Sequence, residues 1–410
     1  MAAAAVGYLR RLNHQTKEHT KFLQSIPKCF SRFMSLQVER ALDPGQPTPE
    51  THPEVLSEGQ IMPGIHASEF LTRRENLMKL LPKDSLVILG SASIQQMTDV
   101  VPYPFRQDAD YLYFTGCQQP GGVAVLSGHS NFCMFMPDSD PKDDAWNGCQ
   151  ADQFAACNVF GASQAYSTRQ LPQILTPMLS QKNAIFYDGS SLDPRFWRLP
   201  PIQQAMSRKR VQNLRKYTHQ VRWIKSQAEI DLMRQSAGIA SQAFLQSMIT
   251  SKSWPHEHIL AATIEYECKI RGAQRMAFPS VVGGGNNGTI IHYSRNDQQI
   301  QEGDMVLVDA GCEFYGYASD ITRTWPPCGK FYPAQVRSLL TMHSEFRYIL
   351  HVMAVKLPEH RILFLNAPLS PFWIFEHPSF HRNSFSGGFG WIRRLGSAFA
   401  LVLYDLHFSD

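Results

Sequence analysis

The sequence predicts an α/β N-terminal domain, followed by a second domain that begins with two helices and continues into a strand hairpin. Short apolar strand patterns alternate with helical patterns through the earlier part of the chain. A capping sequence then opens a long helical stripe, and a β-branched run that ends at Asp309 opens the hairpin. The chain of 410 residues is long enough for two domains with cores of their own.

The composition excludes several classes of protein. Hydrophobic residues make up 43% of the sequence and charged residues 18%, which is typical of a globular chain. No apolar run approaches the roughly 18 residues of a membrane span. The net charge of +4 indicates neither a nucleic-acid partner nor a membrane surface. The eight cysteines form no C-x-x-C or other zinc-like spacing, so we expect free thiols.

Positive charge is concentrated at the N-terminus. Residues 1–40 contain seven Lys or Arg and two acidic residues, without a long apolar stretch. Such a start is typical of a mitochondrial transit peptide, and the alternative is an ordinary basic terminus on a cytoplasmic protein. The proline-rich segment 41–63 predicts a linker or an extended arm. We therefore assign residues 1–50 to a transit peptide and linker.

The N-terminal domain is predicted over residues 51–216. Its first helix is indicated by the apolar spacing from Phe70 to Leu81. The stretch 104–116 predicts a turn that leads into an aromatic-rich strand, and the Pro- and Arg-rich segment 190–216 predicts the domain boundary. Four apolar runs predict strands, at residues 86–90, 123–126, 132–136 and 184–187.

Two helices are predicted to open the second domain. Ser226 and Glu229 have the spacing of a capping box, in which each side chain satisfies the other's backbone amide. Pro255 is placed to start the second helix and Gly272 to end it. The buried face of the first helix is predicted from a stripe made of Ile230, Met233, Ala237, Ala240, Phe244 and Met248.

The aspartates of the hairpin, Asp309 and Asp320, suggest a metal site. Residues 305–308 predict a buried strand, residues 314–316 a turn, and residues 318–324 the returning strand. In such a hairpin the two aspartates lie opposite one another, with Cβ atoms about 5 Å apart. Facing carboxylates repel unless a cation lies between them, and oxygen ligands favour a hard ion such as manganese or magnesium. The alternative is two solvated turn residues.

The sequence around these aspartates resembles the creatinase/aminopeptidase P family, the pita-bread metallopeptidases. That family has an apolar strand, D-[AG]-G-[CA], a short turn and S/G-D-I-T-R-T, which this chain has as DAGC at 309–312 and SDITRT at 319–324. Residues 104–116 resemble the N-terminal domain of aminopeptidase P, and the R-x-I-K-S-x-x-E-I pattern from Arg222 resembles the entry to the catalytic domain. The resemblance extends over roughly residues 50–337.

The resemblance implies an α/β N-terminal domain plus an α+β pita-bread catalytic domain, with only the first half of the latter recognisable, at residues 217–337. It implies a metalloaminopeptidase with two manganese ions that releases the N-terminal residue from peptides with proline in second position. Asp309 and Asp320 would bind metal, His292 would act in catalysis by holding the substrate, and Phe278 would line the substrate pocket. The implied partners are proline-containing peptides or protein N-termini, and a second copy bound through the N-terminal domain.

His292 stands in an apolar pattern that predicts a strand, after a glycine-rich loop at 283–288. A histidine in such a pattern is more often a packed core residue, and the resemblance is what favours a substrate-binding role. No G-K-[ST] follows the glycines, so a phosphate loop is not indicated.

The later part of the chain departs from the family pattern. The family adds a His in a G-x-G-H-type segment and two Glu in I-E-P-G and R-I-E-D strands, and we find none of these motifs in residues 325–410. Residues 338–410 are therefore interpreted as a non-family tail, which makes the C-terminus atypical and truncated. Two interpretations stay open: a metal-dependent aminopeptidase, or a catalytically inactive isoform that acts through binding or dimerisation.

Overall fold

The computed structural model describes residues 44–128, 131–138, 140–188, 200–207, 211–338, 340–341, 362–365 and 372–375. The chain divides into two compact units, one up to Glu229 and one from Ile230. This division lies later than the boundary at residue 216 that the composition favours. The transit segment predicted for residues 1–40 and most of the predicted tail lie outside the described residues. Among the described helices, none has both the length and the apolarity needed to cross a membrane.

A six-stranded mixed sheet forms the centre of the first unit, in the order β6-β5-β4-β3-β7-β8. The β3–β4 and β4–β5 pairs are antiparallel, and the β3–β7, β5–β6 and β7–β8 pairs are parallel. The strands of this sheet are β3 Ser85–Gly90, β4 Val123–Ser127, β5 Asn131–Met136, β6 Gln164–Ser167, β7 Ala184–Tyr187 and β8 Val211–Asn213, and a separate hairpin precedes it, β1 Gln60–Met62 and β2 Ile65–His66. All four predicted strands are therefore confirmed.

Helices connect these strands, which confirms the predicted α/β class of the unit. The apolar core on one side of the sheet includes Leu86, Ile88 and Phe135 from the strands and Leu171 and Leu175 from a helix. The helices are α1 Ala67–Lys79, α2 Ala109–Thr115, α3 Pro141–Asn147, α4 Gln153–Asn158, α5 Leu171–Ser180, α6 Pro200–Ser207 and α7 Arg215–Trp223.

The strand predicted within residues 104–116 is wrong, because this stretch contains helix α2. Asp108 caps the helix by accepting a hydrogen bond from the Tyr111 backbone N at 2.8 Å. Gly116 ends it in the left-handed conformation, with φ of 74°. Tyr111, Phe114 and Thr115 are buried at helical spacing, so the aromatic residues that suggested a strand form one buried helix face.

The linker interpretation of residues 41–63 is also wrong for its described part. The side chain of Gln46 is only 5% exposed, donates to the Gly116 carbonyl at 3.1 Å and accepts from the Gln118 backbone N at 2.8 Å. Leu56 is buried as well. This segment is therefore held within the first unit by the hydrogen bonds of Gln46 and the burial of Leu56. The spacing of its prolines does not reveal these long-range contacts.

In the second unit, two helices pack against small antiparallel sheets. The buried core joins Ala240 and Phe244 of the first helix and Leu260 of the second to Val306 and Val308 of a strand. The strand orders are β10-β11-β14 and β13-β12-β9. The elements are α8 Gln227–Ser251, α9 Glu257–Ile270, β9 Arg275–Met276, β10 Val281–Gly284, a 3₁₀ helix Gly285–Thr289, β11 Val306–Ala310, β12 Cys312–Phe314, β13 Tyr317–Ala318 and β14 Ile321–Trp325, and a separate two-stranded sheet pairs β15 Ile362–Leu365 with β16 Phe372–Phe375.

The capping box at the start of α8 is confirmed. The Ser226 backbone N donates to Glu229 Oε2 at 2.7 Å, and the Glu229 backbone N donates to Ser226 Oγ at 3.2 Å. The predicted stripe is partly wrong, because Met233 is 36% exposed. Small and polar residues, including Ser236 and Ser247, occupy the most deeply buried positions of α8, where an apolar pattern gives no signal.

Candidate metal centre

Asp309 and Asp320 lie on the two arms of one antiparallel hairpin. Strands β11 and β14 pair so that Asp309 faces Thr322, not Asp320. The prediction that the aspartates lie directly opposite one another is therefore wrong by two residues. Because residues two apart on a strand share a face, Asp320 is the diagonal neighbour of Asp309. The predicted turn at residues 314–316 is confirmed, with positive φ at Tyr315 and Gly316.

The hairpin is closest-packed at Gly311, which the register places opposite Asp320. A Cβ atom built on Gly311 would lie 1.7 Å from the carbonyl oxygen of Ser319. Ser319 also closes the crossing, because its backbone N donates to the Cys312 carbonyl at 2.9 Å and its Oγ accepts from the Cys312 backbone N at 3.1 Å. The glycine in the DAGC segment therefore allows the arms to approach beside the aspartates.

The alternation of β11 places Asp309 on the face of the sheet away from helices α8 and α9. Val306 and Val308 are buried in the core beneath those helices, whereas Asp309 is half-buried on the other face. The two carboxyl groups are close enough to interact, since a side-chain hydrogen bond with Asp309 lowers the pKa of Asp320. Two carboxyl groups can share a hydrogen bond only while one of them carries the proton.

Burial raises the pKa of Asp320, and the hydrogen bond with Asp309 partly opposes this shift. Asp320 nevertheless retains exposed surface as a residue. The raised pKa and the exposed surface are compatible, because the carboxyl group interacts with Asp309 while other parts of the residue face solvent. A cation between the two groups would replace the shared proton.

The residues present fit one part of a site for a hard divalent cation. Carboxylate oxygens are the ligands that magnesium and manganese prefer, and Asp309 and Asp320 bring two carboxyl groups into contact. Within the residues that the structure describes, no group of three or more His, Cys, Asp or Glu side chains could hold a metal. The aspartate pair is therefore an incomplete ligand set by itself.

Phe278 lies beside the aspartate hairpin. The neighbouring Ala277 donates from its backbone N to the Gly311 carbonyl at 2.9 Å, and Val281, three residues later, pairs with Asp309 in the sheet. Phe278 is half-buried on the short segment between these two contacts. The structure therefore brings this sequence-predicted residue next to the candidate metal ligands.

His292 lies in a turn and not in a strand, so the predicted His-bearing strand is wrong. The 3₁₀ helix Gly285–Thr289 precedes it, and the Tyr293 backbone N closes the turn on the Ile290 carbonyl at 3.2 Å. His292 is exposed, which also contradicts the alternative of a packed core histidine. The physical reason is the glycine-rich sequence, which ends strand β10 and turns the chain before the apolar residues.

The residue that sequence reasoning missed is Glu257, in the first turn of α9. Its side chain is fully buried and contacts the hydroxyl of Tyr293, the residue after His292, at 2.8 Å. Burial and this hydrogen bond raise the pKa of Tyr293 to about 12. An acid at a helix start is ordinary in sequence, so no local signal distinguishes Glu257 from a solvated capping residue.

Comparisons with known proteins show which families the chain resembles. Residues 70–187 match the family described as aminopeptidase P, N-terminal domain, and residues 231–348 match metallopeptidase family M24. The chain is 56% identical over 72% of its length to mitochondrial intermediate cleaving peptidase 55 of Arabidopsis thaliana, and 36% identical over 70% to human Xaa-Pro aminopeptidase 3. It spans 59% and 61% of the lengths of these two relatives.

A solved structure shows the same fold. The crystal structure of Icp55 from Saccharomyces cerevisiae, with its N-terminal 58 residues deleted, superposes with a TM-score of 0.62 at 30% sequence identity. The match covers 70% of this chain and 68% of that one. The α/β N-terminal unit and the first part of the pita-bread domain that the sequence predicts are therefore confirmed.

Proposed function

Because the chain belongs to metallopeptidase family M24 and carries an aminopeptidase P N-terminal domain, we propose that it is a metal-dependent aminopeptidase for peptides with proline in second position. Enzymes of this family use divalent metal ions. The observation that carries the proposal is the contact between the carboxyl groups of Asp309 and Asp320 on one face of the hairpin.

The predicted site residues divide three roles in this proposal. Asp309 and Asp320 hold manganese, the hard ion that suits a pair of carboxylates. The bound ion would supply Lewis acidity towards the carbonyl of the scissile peptide bond. Phe278 offers an apolar surface beside the ligands, and exposed His292 donates a hydrogen bond to the substrate and to the charge that develops on its carbonyl oxygen.

The second candidate function is that of an inactive isoform that binds without cleaving. The observation that favours it is the incomplete ligand set, since no third His, Cys, Asp or Glu joins the aspartates in the described part of the chain. Such a protein would act through peptide binding or through pairing with a second copy by way of its N-terminal unit.

One assay separates the two functions. The purified chain is incubated with manganese and a peptide that begins X-Pro, and release of the first residue is measured against a matched X-Ala peptide. The aminopeptidase proposal expects X-Pro cleavage that chelation stops and that Asp320→Asn abolishes. The control is Asp231→Asn, because Asp231 is exposed and pairs with Arg234 on the surface of α8. A wild-type chain without any release leaves only the binding function.

The proposed location is the mitochondrion. The basic, acid-poor residues 1–40 support it, as does the name of the mitochondrial relative from Arabidopsis. Residues 1–40 fused to a fluorescent reporter should carry it into mitochondria, whereas the same segment with its seven Lys and Arg changed to Gln should not. A reporter that stays in the cytoplasm with the native segment would refute the location.

A further inference from the structure

Glu257 is a carboxylate that is 0% exposed at the start of α9, within the unit that carries the aspartate hairpin. Burial of a carboxylate is costly unless its oxygens are fully hydrogen-bonded. Here both oxygens accept two hydrogen bonds each. Oε1 accepts from the Gly284 backbone N and from Asn287 Nδ2, both at 2.9 Å. Oε2 accepts from the Tyr293 hydroxyl at 2.8 Å and from the Gln298 backbone N at 2.9 Å.

All four partners can serve as donors, so Glu257 acts as a hydrogen-bond acceptor on every side. Two of the donors also contact each other, because Asn287 Nδ2 donates to the Tyr293 hydroxyl oxygen at 3.1 Å. The Tyr293 hydroxyl also lies 3.5 Å from Asp297 Oδ1, so Glu257 Oε2, at 2.8 Å, is the nearer of its two acceptors.

The four donors belong to one segment, residues 284–298, and this segment carries His292 near its middle. A second contact fixes the same segment to strand β10. Asn296 accepts from the Val282 backbone N at 3.0 Å and donates to the Ser280 carbonyl at 2.7 Å, with φ of 48°. Strand β10 is in turn paired with Asp309 through Val281. The segment is thus held from the helix side by Glu257 and from the sheet side by Asn296.

We propose that Glu257 is a positioning residue that sets the place of His292 relative to the candidate metal ligands. The proposal rests on the proposed function, because that function gives His292 its role towards the substrate. Glu257 itself, with no exposed surface, does not touch substrate. It acts through Tyr293, which is the immediate neighbour of His292, and through the 3₁₀ helix that contains Asn287.

The isosteric change Glu257→Gln is a sharp test because it keeps the shape and removes half of the acceptors. An amide offers one oxygen and one NH₂ group, so two of the four donors would face another donor in a buried site. Hydrogen bonds to charged groups are also stronger than those to neutral ones. The matched control is Glu265→Gln on the same helix, since the Glu265 side chain is 50% exposed and pairs with Lys269.

Two readouts that do not need catalysis decide the proposal. The first is amide hydrogen exchange across residues 284–298, compared with the hairpin strands at 306–325. The second is the nuclear magnetic resonance signal of the His292 imidazole, assigned by its loss in His292→Ala. We expect Glu257→Gln to accelerate exchange in 284–298 by about tenfold or more, to shift or broaden the His292 signal, and to leave the hairpin protected. Glu265→Gln should change neither.

A folded Glu257→Gln chain with unchanged exchange in 284–298 and an unchanged His292 signal would overturn the proposal. If Glu257→Gln does not fold, Tyr293→Phe decides instead, because it removes one donor and leaves the carboxylate in place. It should then accelerate exchange in 284–298 alone, and an effect on the hairpin as well would show a general structural role and overturn the proposal.

Where the wild-type chain cleaves X-Pro peptides, Glu257→Gln should also lower kcat. A wild type without turnover refutes the proposed function and leaves the exchange and resonance results to decide this inference.

Discussion

Gly311 and Ser319 approach so closely that a Cβ atom on Gly311 would lie 1.7 Å from the Ser319 carbonyl oxygen. No side-chain rotation can relieve that contact, because the clashing atom belongs to the backbone. The hairpin arms would have to separate at the position that faces Asp320. The contact between the Asp309 and Asp320 carboxyl groups depends on the same approach, so this glycine links backbone packing to the candidate metal site.

We therefore expect Gly311→Ala to lower the free energy of unfolding by about 2–4 kcal/mol and to weaken manganese binding. Gly238→Ala is the control, since Gly238 lies inside α8 and a Cβ atom added there would meet nothing within 4 Å apart from the adjacent backbone of its own helix. That change should raise the free energy of unfolding by roughly 0.5–1 kcal/mol, because alanine is the better helix former. Chemical denaturation measures both, and equal stability of Gly311→Ala and wild type would contradict the packing described here.

Asp320→Asn should change stability in opposite directions with and without metal. Without metal, the variant should melt at a higher temperature than wild type, because burial disfavours the charge of Asp320 and asparagine carries none. With excess manganese, the wild type should gain stability by mass action and the variant should not. Differential scanning fluorimetry over a manganese titration measures both effects. A variant that manganese stabilises as strongly as wild type would show that the ion binds elsewhere.

Asp108 predicts a pH dependence of the first unit. Burial raises the pKa of Asp108 from 3.8 to about 6, although its carboxylate caps α2 by accepting from the Tyr111 backbone N. The folded chain then holds a proton that the unfolded chain releases, so this residue's contribution to stability falls as pH rises from about 4 to 6. Asp108→Asn keeps the acceptor without the charge.

Asp108→Asn should therefore be more stable than wild type at pH 7, by on the order of 1–3 kcal/mol. The difference in the free energy of unfolding should vanish as the pH is lowered to about 4. Urea denaturation at several pH values between about 4 and 7.5 tests the slope. Asp108→Ala, which also removes the cap, should gain less at pH 7. A variant that is less stable than wild type at pH 7 would mean that the ionised cap outweighs its burial.

Arg73 is a buried cation of the first unit, with a side chain that is 4% exposed. Its guanidinium contacts Glu69 Oε1 at 2.6 Å and Glu229 Oε1 at 3.5 Å, donates to the Tyr113 carbonyl at 3.1 Å, and lies 4.0 Å from the Tyr113 ring centroid. Because Glu229 is buried too, Arg73→Met would take away the cation that compensates its charge.

The expected loss in the free energy of unfolding for Arg73→Met is about 3–5 kcal/mol. Arg169→Met is the matched control, because that side chain is 84% exposed and its ion pair with Asp138 lies at the surface. The control should change stability by less than about 1 kcal/mol. Thermal and urea unfolding of the two variants measure this difference, and similar values for both would rule out a structural role for the buried pair.

Much of the fold followed from local patterns. Four of the six strands of the first sheet follow from the sequence because each is a short apolar run. The start of α8 follows because Ser226 and Glu229 satisfy each other's amides within four residues. The helix over residues 109–115 does not, because its aromatic residues fit a strand equally well. The burial of Tyr111 and Phe114 on one face is decided by the rest of the unit.

The sequence by itself determined the hairpin, its turn and which two aspartates lie on its arms, because these features depend on residues close together in the chain. The tertiary structure decided that the aspartates are diagonal neighbours, that Phe278 lies beside them, and that His292 lies in an exposed turn. It also decided the buried environment of Glu257, whose four hydrogen-bond donors lie between 27 and 41 residues away along the chain. A buried polar network over such separations leaves no periodic pattern and no motif in the sequence, since its energy depends on where the folded chain places each donor.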